Sequence, residues 1–179
     1  MPYDYYIDAS TTRMGIVLED QDKKELIVTD LDFSHFHADK NQSHMRKQVN
    51  KFRFIEQMLD RFVQKWLVGD RVVIEGIFLN PVYKNSSEVL LKLHGFLIHY
   101  FLDKDLIFLP PAHIKKIITG KGNASKKLVA KGIKEVTQQK IEFKNNDQSD
   151  AFAIFLTYKK EYENKELIDL LNGYMICIL

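Results

Sequence analysis

Cysteine is almost absent from this chain, with Cys177 the only one in 179 residues. That excludes an internal disulfide framework and a zinc site built from thiolates, and it makes a reducing compartment, the cytoplasm, the expected location. Four prolines and eight glycines are too few for a repetitive or low-complexity chain. No apolar run approaches the roughly 20 residues that a membrane span requires, and Met1-Pro2-Tyr3-Asp4 starts no basic-then-apolar leader. The apolar tail Tyr174–Leu179 is far too short to span; it is expected to dock as a terminus or to meet a partner. A phosphate loop is missing too, because Gly120-Lys121-Gly122 lacks the upstream glycine spacing and the Lys-Ser/Thr pair. His35 and His37 have metal-like spacing, but nothing beside them completes a site, so they read as surface.

What is present is an ordinary soluble composition, 45% hydrophobic and 28% charged, in a length that suits one domain over residues 1–179. Three strands are expected first, at Tyr3–Ala9, Arg13–Glu19 and Glu25–Phe33, joined by tight turns into an antiparallel meander. A long helix over Ser43–Leu67 follows, because Met45, Val49, Phe52, Ile55, Leu59, Phe62 and Trp66 recur at steps of three and four; Gly69-Asp70 is expected to end it. Arg71–Phe78 is continuously apolar, as in a buried parallel strand, and Asn80-Pro81 breaks the chain after it. Ser86–Leu102 is a helix apolar on nearly every side, so it is central or lies at a subunit interface. Leu93 and Leu97, an i, i+4 pair, are its candidates for the partner-facing side, with the core side as the alternative. Leu106–Leu109 is a short strand, and a last helix begins near Asp147. The order β-β-β-α-β-α-β-α predicts an α/β architecture with the topology of the RNase H-like fold: a mixed five-stranded sheet, three antiparallel strands then two parallel, flanked by helices.

Four acids stand at the ends of these elements. Asp8 closes Tyr5-Tyr6-Ile7, Glu75 closes Val72-Val73-Ile74, and Asp147 and Asp150 open the last helix. Charge at the end of a buried strand is costly unless something positive compensates it. Several such carboxylates together repel one another, and a divalent cation with oxygen ligands is the usual remedy. Two such ions, Mg²⁺ or Mn²⁺, would form a centre for cutting phosphodiesters. Taken singly, each acid has a plainer explanation: Asp8 as an Asx turn, Asp147 and Asp150 as an N-cap and a first-turn acid. Glu75 is harder to explain so, because glutamate is depleted in buried strands.

The net charge is +2, yet His113–Lys140 holds eight lysines against the single acid Glu135. The basicity is therefore a patch, suited to phosphate backbones, although a solvated helix face is the competing explanation. Lys115, Lys116, Lys121, Lys126 and Lys127 are the candidates for DNA contact. Phe78 follows Glu75 by three residues and could stack on an unpaired base at the edge where the acids gather; a core phenylalanine is the alternative.

Several segments in order resemble the RuvC family of Holliday junction resolvases over most of the chain, and most of all phage-encoded members from low-GC Gram-positive hosts. Ile7-Asp8-Ala9-Ser10 stands where the family has Ile-Asp-Pro-Gly. Val73-Ile74-Glu75-Gly76-Ile77-Phe78 resembles its second acidic strand, and Leu91-Lys92-Leu93-His94-Gly95 the start of its dimer helix. Asp147-Gln148-Ser149-Asp150-Ala151-Phe152-Ala153-Ile154 resembles its closing Asp-x-x-Asp-Ala-x-Ala-Ile motif. Ala9-Ser10 departs from the family, as do the many cations of the first helix (Arg46, Lys47, Lys51, Arg53, Arg61, Lys65).

The resemblance implies a metal-dependent endodeoxyribonuclease that nicks four-way junctions, with three-way forks as further candidate substrates. It implies two Mg²⁺ per site held by Asp8, Glu75, Asp147 and Asp150, with Mn²⁺ as a substitute. It also implies basic residues near the scissile phosphate at Lys115 and Lys126, an aromatic near the junction centre at Phe78, and a homodimer through the helix near 86–102. The expected setting is the cytoplasm of a bacterium or a phage-infected host. Two other classes stay open: a non-catalytic branched-DNA-binding protein on the same fold, and an actin/sugar-kinase-type ATPase, which also begins with a strand, an Asp and a Thr-Thr turn.

Overall fold

A computed structural model describes residues 2–77 and 84–179. The strands are β1 (Tyr3–Asp8), β2 (Arg13–Asp20), β3 (Glu25–Asp32), β4 (Val68–Glu75), β5 (Asp105–Leu109) and β6 (Met175–Ile178). The helices are α1 (His44–Lys65), α2 (Lys84–Tyr100), α3 (Pro111–Thr119), α4 (Lys126–Thr137), α5 (Asn146–Tyr162) and the short α6 (Leu167–Leu170). All six strands form one sheet in the order β5-β4-β1-β2-β3-β6. β1, β2 and β3 make the antiparallel meander, and β4 and β5 continue it in parallel from β1.

The sheet thus has six strands where five are expected. The extra one is the apolar tail, which docks as β6 parallel to β3. Its four residues pair with a strand about 150 positions earlier, so no local pattern marks it. β4 also starts earlier than expected. Gly69 and Asp70 lie inside it, α1 having stopped at Trp66, and a Cβ on Gly69 would stand 3.0 Å from the carbonyl oxygen of Tyr3. The lysine-rich stretch resolves into α3 and α4, which turn Ile114, Ile118, Val129 and Ile133 inward. Phe78 and the break at Asn80-Pro81 lie outside the described residues.

Strand alternation divides the core between the two faces of the sheet. Tyr6, Val17, Val28 and Val73 point toward α3, α4 and α5, whereas Tyr5, Ile7, Ile16 and Ile74 point toward α1 and α2. α1 begins at the N-cap Ser43, whose side chain accepts from the Arg46 amide, and it buries Ile55, Leu59 and Phe62. α5 differs from an ordinary surface helix, because every residue from Ala151 to Lys159 is buried. Lys159 near its C-terminal end is satisfied by Glu19 and Glu163, each at 2.7 Å. Tyr6 and Tyr174 both donate hydroxyl hydrogen bonds to the same Glu19.

α2 corrects one expectation. Leu93 and Leu97 are fully buried against the sheet rather than facing outward; the apolar residues it turns to solvent are Leu91 and Ile98, continued by Leu102 beyond its end. Leu97→Ala should therefore cost about 2–5 kcal/mol of folding stability, as for a buried leucine. Leu102→Ala should stay within about 0.5 kcal/mol, as for a surface change. Urea unfolding of the two variants checks the assignment.

Candidate active site

Strand register brings the first two acids together. Ile7 of β1 pairs with Ile74 of β4, so Asp8 and Glu75 end adjacent parallel strands at the same edge of the sheet. Ligand groups gather at this kind of edge in open α/β sheets. Glu75 is pinned from behind. His94 of α2 holds Nε2 2.8 Å from the Glu75 carbonyl oxygen and Nδ1 3.0 Å from that of Leu90, and whichever nitrogen carries the proton donates.

The second pair arrives on α5 through a backbone contact that only glycine permits. Gly15 is the cross-strand partner of Asp8. A Cβ at Gly15 would lie 1.9 Å from the carbonyl oxygen of Asp147. The N-terminus of α5 thus rests directly on β2 beside Asp8. Its N-cap is Asn145, which accepts from the Gln148 amide, leaving Asp147 in the first turn and Asp150 in the second. Neither aspartate is the cap.

Gln148, between them, is fully buried. Its Oε1 accepts from the Lys144 amide at 3.0 Å, and its Nε2 donates to Asp30 at 2.8 Å and to the Leu179 carbonyl at 3.0 Å. Asn145 donates to the same Asp30 oxygen at 2.9 Å. The start of α5 is therefore tied to β3 and to the end of β6.

Electrostatics shows how tightly the acids are gathered. Burial pushes the Asp8 carboxyl well above the usual carboxylate range, and repulsion from Glu75, Asp150 and Asp147 adds to this. Burial, and then Asp150, raise Glu75, while a hydrogen bond with Asp8 opposes the rise. Burial also raises Asp150, against the pull of Lys126. Lys126 is the local cation, 2.6 Å from Asp150 and 3.6 Å from Asp147. Burial works against its charge, but the carboxylates outweigh it and hold the ammonium above the usual lysine range.

Among the described residues no three acidic, imidazole or thiol groups are drawn together as a bound ion would hold them. Instead, Asp147 and Asp150 share the ammonium of Lys126. Three carboxyls whose pKa is raised by burial, with Asp147 beside them, fit a hard divalent cation with oxygen ligands, and Lys126 shows that the site accepts positive charge.

The other expected residues fall around this cluster. Lys115 joins Glu75, Asp150, Lys126, Pro111, Ile114, Val129 and Ala153 in lining a cleft of about 150 Å³. Lys116, Lys121 and Lys127 are exposed on α3, in the following loop and on α4, outside the lining. Phe78 lies outside the described residues. His35 and His37 are exposed, as expected. Gly15, Asp30, Asn145, Gln148 and His94 are the contributors that the sequence did not single out. Of these, only Gly15 left a local signal, since a glycine inside a strand often marks a close backbone approach.

Residues 6–158 match the family model for crossover junction endodeoxyribonuclease RuvC. No curated protein sequence gives a significant match. Among solved structures, the chain resembles Thermus thermophilus RuvC at 18% identity and TM-score 0.54, covering 92% of this chain and 97% of that one. It resembles T. thermophilus RuvC in complex with Holliday junction substrate at 15% identity and TM-score 0.51, covering 88% and 93%. Ydc2, the yeast mitochondrial Holliday junction resolvase, matches at 13% identity and TM-score 0.56, covering 97% and 82%. At these identities the three structures establish the shared fold.

Two outcomes follow from the geometry. A carboxyl whose folded pKa is raised destabilises the protein as pH climbs through the ordinary carboxylate range toward the raised value. Asp8→Asn should therefore raise the melting temperature of the metal-free protein at pH 7 and much less at pH 4, and added Mg²⁺ should stabilise the parent more than the variant. Equal shifts at both pH values would remove the charge argument. Gly15→Ala should displace the start of α5, and because a shift of about 1 Å can cost on the order of 100-fold in rate, strand cutting should fall far more than DNA affinity.

Proposed function

The chain belongs to the crossover junction endodeoxyribonuclease RuvC family, whose members are divalent-metal-dependent nucleases, and on that premise we propose how its residues nick four-way DNA junctions. The observation that supports this reading is the meeting of Asp8, Glu75, Asp147 and Asp150 from three elements beside a lysine-lined cleft. These four side chains would hold two Mg²⁺ ions, with Mn²⁺ as a substitute. When bound, the ions supply a nucleophilic water at neutral pH and stabilise charge on the attacking and leaving oxygens.

The protein's own groups position the substrate. Lys126 is held at the cluster by Asp150 and can turn its ammonium toward a scissile phosphate, neutralising charge that develops there. Lys115, on α3, offers a second ammonium in the lining of the same cleft. Lys116, Lys121 and Lys127 are exposed on the same flank and suit neighbouring phosphates, contacts that position DNA without reading sequence. Phe78 is the candidate for stacking on a base unpaired at the branch.

The functional unit is one nuclease domain over residues 1–179, acting as a homodimer so that two sites address two strands. Exposed Leu91, Ile98 and Leu102 along α2 are the apolar positions that such an interface would cover. Three-way forks are a further substrate, and the setting is the cytoplasm. Among the described residues no helix is long and apolar enough to cross a membrane.

A substrate panel tests the reading. With Mg²⁺, a labelled four-way junction should receive paired, symmetric nicks while linear duplex stays intact; with Ca²⁺ it should be bound and left uncut. Asp8→Asn, Glu75→Gln, Asp147→Asn and Asp150→Asn should each abolish or severely reduce cutting while junction binding survives, because losing an acid lessens repulsion of phosphate. Cutting of RNA–DNA hybrids in place of junctions, or near-normal cutting by Asp8→Asn or Glu75→Gln, would overturn it.

A further inference from the structure

α1 carries a second cationic surface, separate from the lysines of α3 and α4. Ile55, Leu59 and Phe62 fix its buried side. At 3.6 residues per turn, the opposite side presents Arg46, Asn50, Arg53, Gln57, Arg61 and Gln64 in steps of four, three, four, four and three. All but the half-buried Asn50 are exposed. The row contains no acid, only guanidinium and amide groups.

This row differs from the lysine patch in its chemistry, guanidinium in place of ammonium. Some lysines elsewhere have an acid beside them, as in Lys92–Glu88, Lys131–Glu135 and Lys140–Glu142, whereas the exposed Lys116, Lys121 and Lys127 make no ion pair among the described residues. The chain has five arginines. Arg13 and Arg71 are engaged by aspartates, while Arg46, Arg53 and Arg61 make no ion pair among the described residues. One acid of α1, Asp60, is turned to α2, where it accepts from the Tyr100 hydroxyl at 2.7 Å. Unpaired arginines spaced along one face, with amides between them, suit an array of phosphate oxygens: guanidinium recognises phosphate with two hydrogen bonds, and amides add neutral ones.

Position decides which phosphates. β3 ends at Asp32, paired with Arg13 at the start of β2, on the edge where β1 delivers Asp8. α1 therefore starts at the carboxylate edge and runs away from it, on the face of the sheet opposite α3, α4 and α5. Arg46 to Arg61 spans roughly 22 Å at 1.5 Å per residue. That is about six phosphates along one strand of a duplex at 3.4 Å each. Of the contacts with α2, Lys92–Gln48 and Phe52–Phe96 lie well round the helix and Asp60–Tyr100 flanks the row nearer its far end, so a dimer through α2 would leave the Arg46 end of the row open.

We propose that the outer face of α1 binds the backbone of a duplex arm that leaves the cutting site on the α1 side, with Arg46, Arg53 and Arg61 as its phosphate contacts. This rests on the junction-nuclease reading and adds to it a second bank for DNA, opposite the lysines of α3 and α4. A branched substrate has arms to fill both banks; a linear duplex engaged by one bank leaves the other empty.

The test is fluorescence anisotropy with a labelled four-way junction in Ca²⁺ across a salt series, comparing the parent with R46Q/R53Q/R61Q and with the Arg→Lys triple. The glutamine triple should keep the parental melting temperature and bind the junction more weakly. Its log K against log[salt] slope should be shallower by up to about 2.7, at roughly 0.9 per lost phosphate contact. The lysine triple should keep most of the slope, and the glutamine changes should affect linear duplex less than junction. A glutamine-triple slope within about 0.9 of the parent's, in a parent that binds junctions and whose slope does fall in Lys115→Ala, overturns the proposal alone. A parent that binds no junction at any salt overturns the underlying reading as well.

Discussion

The site depends on one backbone contact, the seating of α5 on Gly15. A helix carrying two carboxylates has to come down onto a sheet edge that already carries two more, and a Cβ at position 15 would stand 1.9 Å from the Asp147 carbonyl oxygen. Glycine removes that obstacle, and both ends of the helix are then fastened. Gln148 ties the start to Asp30 and Leu179, and Lys159 ties the far end to Glu19 and Glu163. Both fasteners are buried polar groups with their partners in place, the condition under which such groups hold a structure in one arrangement rather than weaken it.

What the seated helix creates is electrostatic stress. Asp8, Glu75 and Asp150 are all pushed toward the protonated form, with burial the leading cause. Lys126 relieves part of it from α4. A divalent cation would take over that role and leave the ammonium for the substrate's phosphate. Proton, lysine and metal thus compete for one set of oxygens, so metal affinity should rise with pH as the carboxylates give up their protons.

The sheet also separates the molecule's tasks. Its α3/α4/α5 side carries the cluster, the cleft and the lysines; its α1/α2 side carries the arginine row and, round from it, the exposed apolar residues of α2. The carboxylate edge is where the two sides meet.

How much of this the chain announces in advance depends on the range of each interaction. The meander, α1, the buried strand ending at Glu75 and the helix opening at Asp147 were legible because periodicity and turn residues are local signals. The four acids were legible because charge is out of place at the end of an apolar strand, and because their order resembles one family. That Leu93 and Leu97 meet the sheet was not legible, since an almost wholly apolar helix has no pattern to say which flank faces inward. β6, Gln148, Asp30 and His94 were not legible either. Each has a partner well outside its own element, 19 residues away for His94 and Glu75 and 118 for Gln148 and Asp30, and a buried glutamine carries no mark of the bonds it will make. The sequence by itself determined most of the elements, the donor chemistry and the sign of the lysine patch, all properties of neighbours along the chain. Tertiary structure alone decided which carboxylates crowd one another, which lysine stands among them and which arginines stay unpaired, because Coulomb interactions and desolvation depend on distance and burial in space.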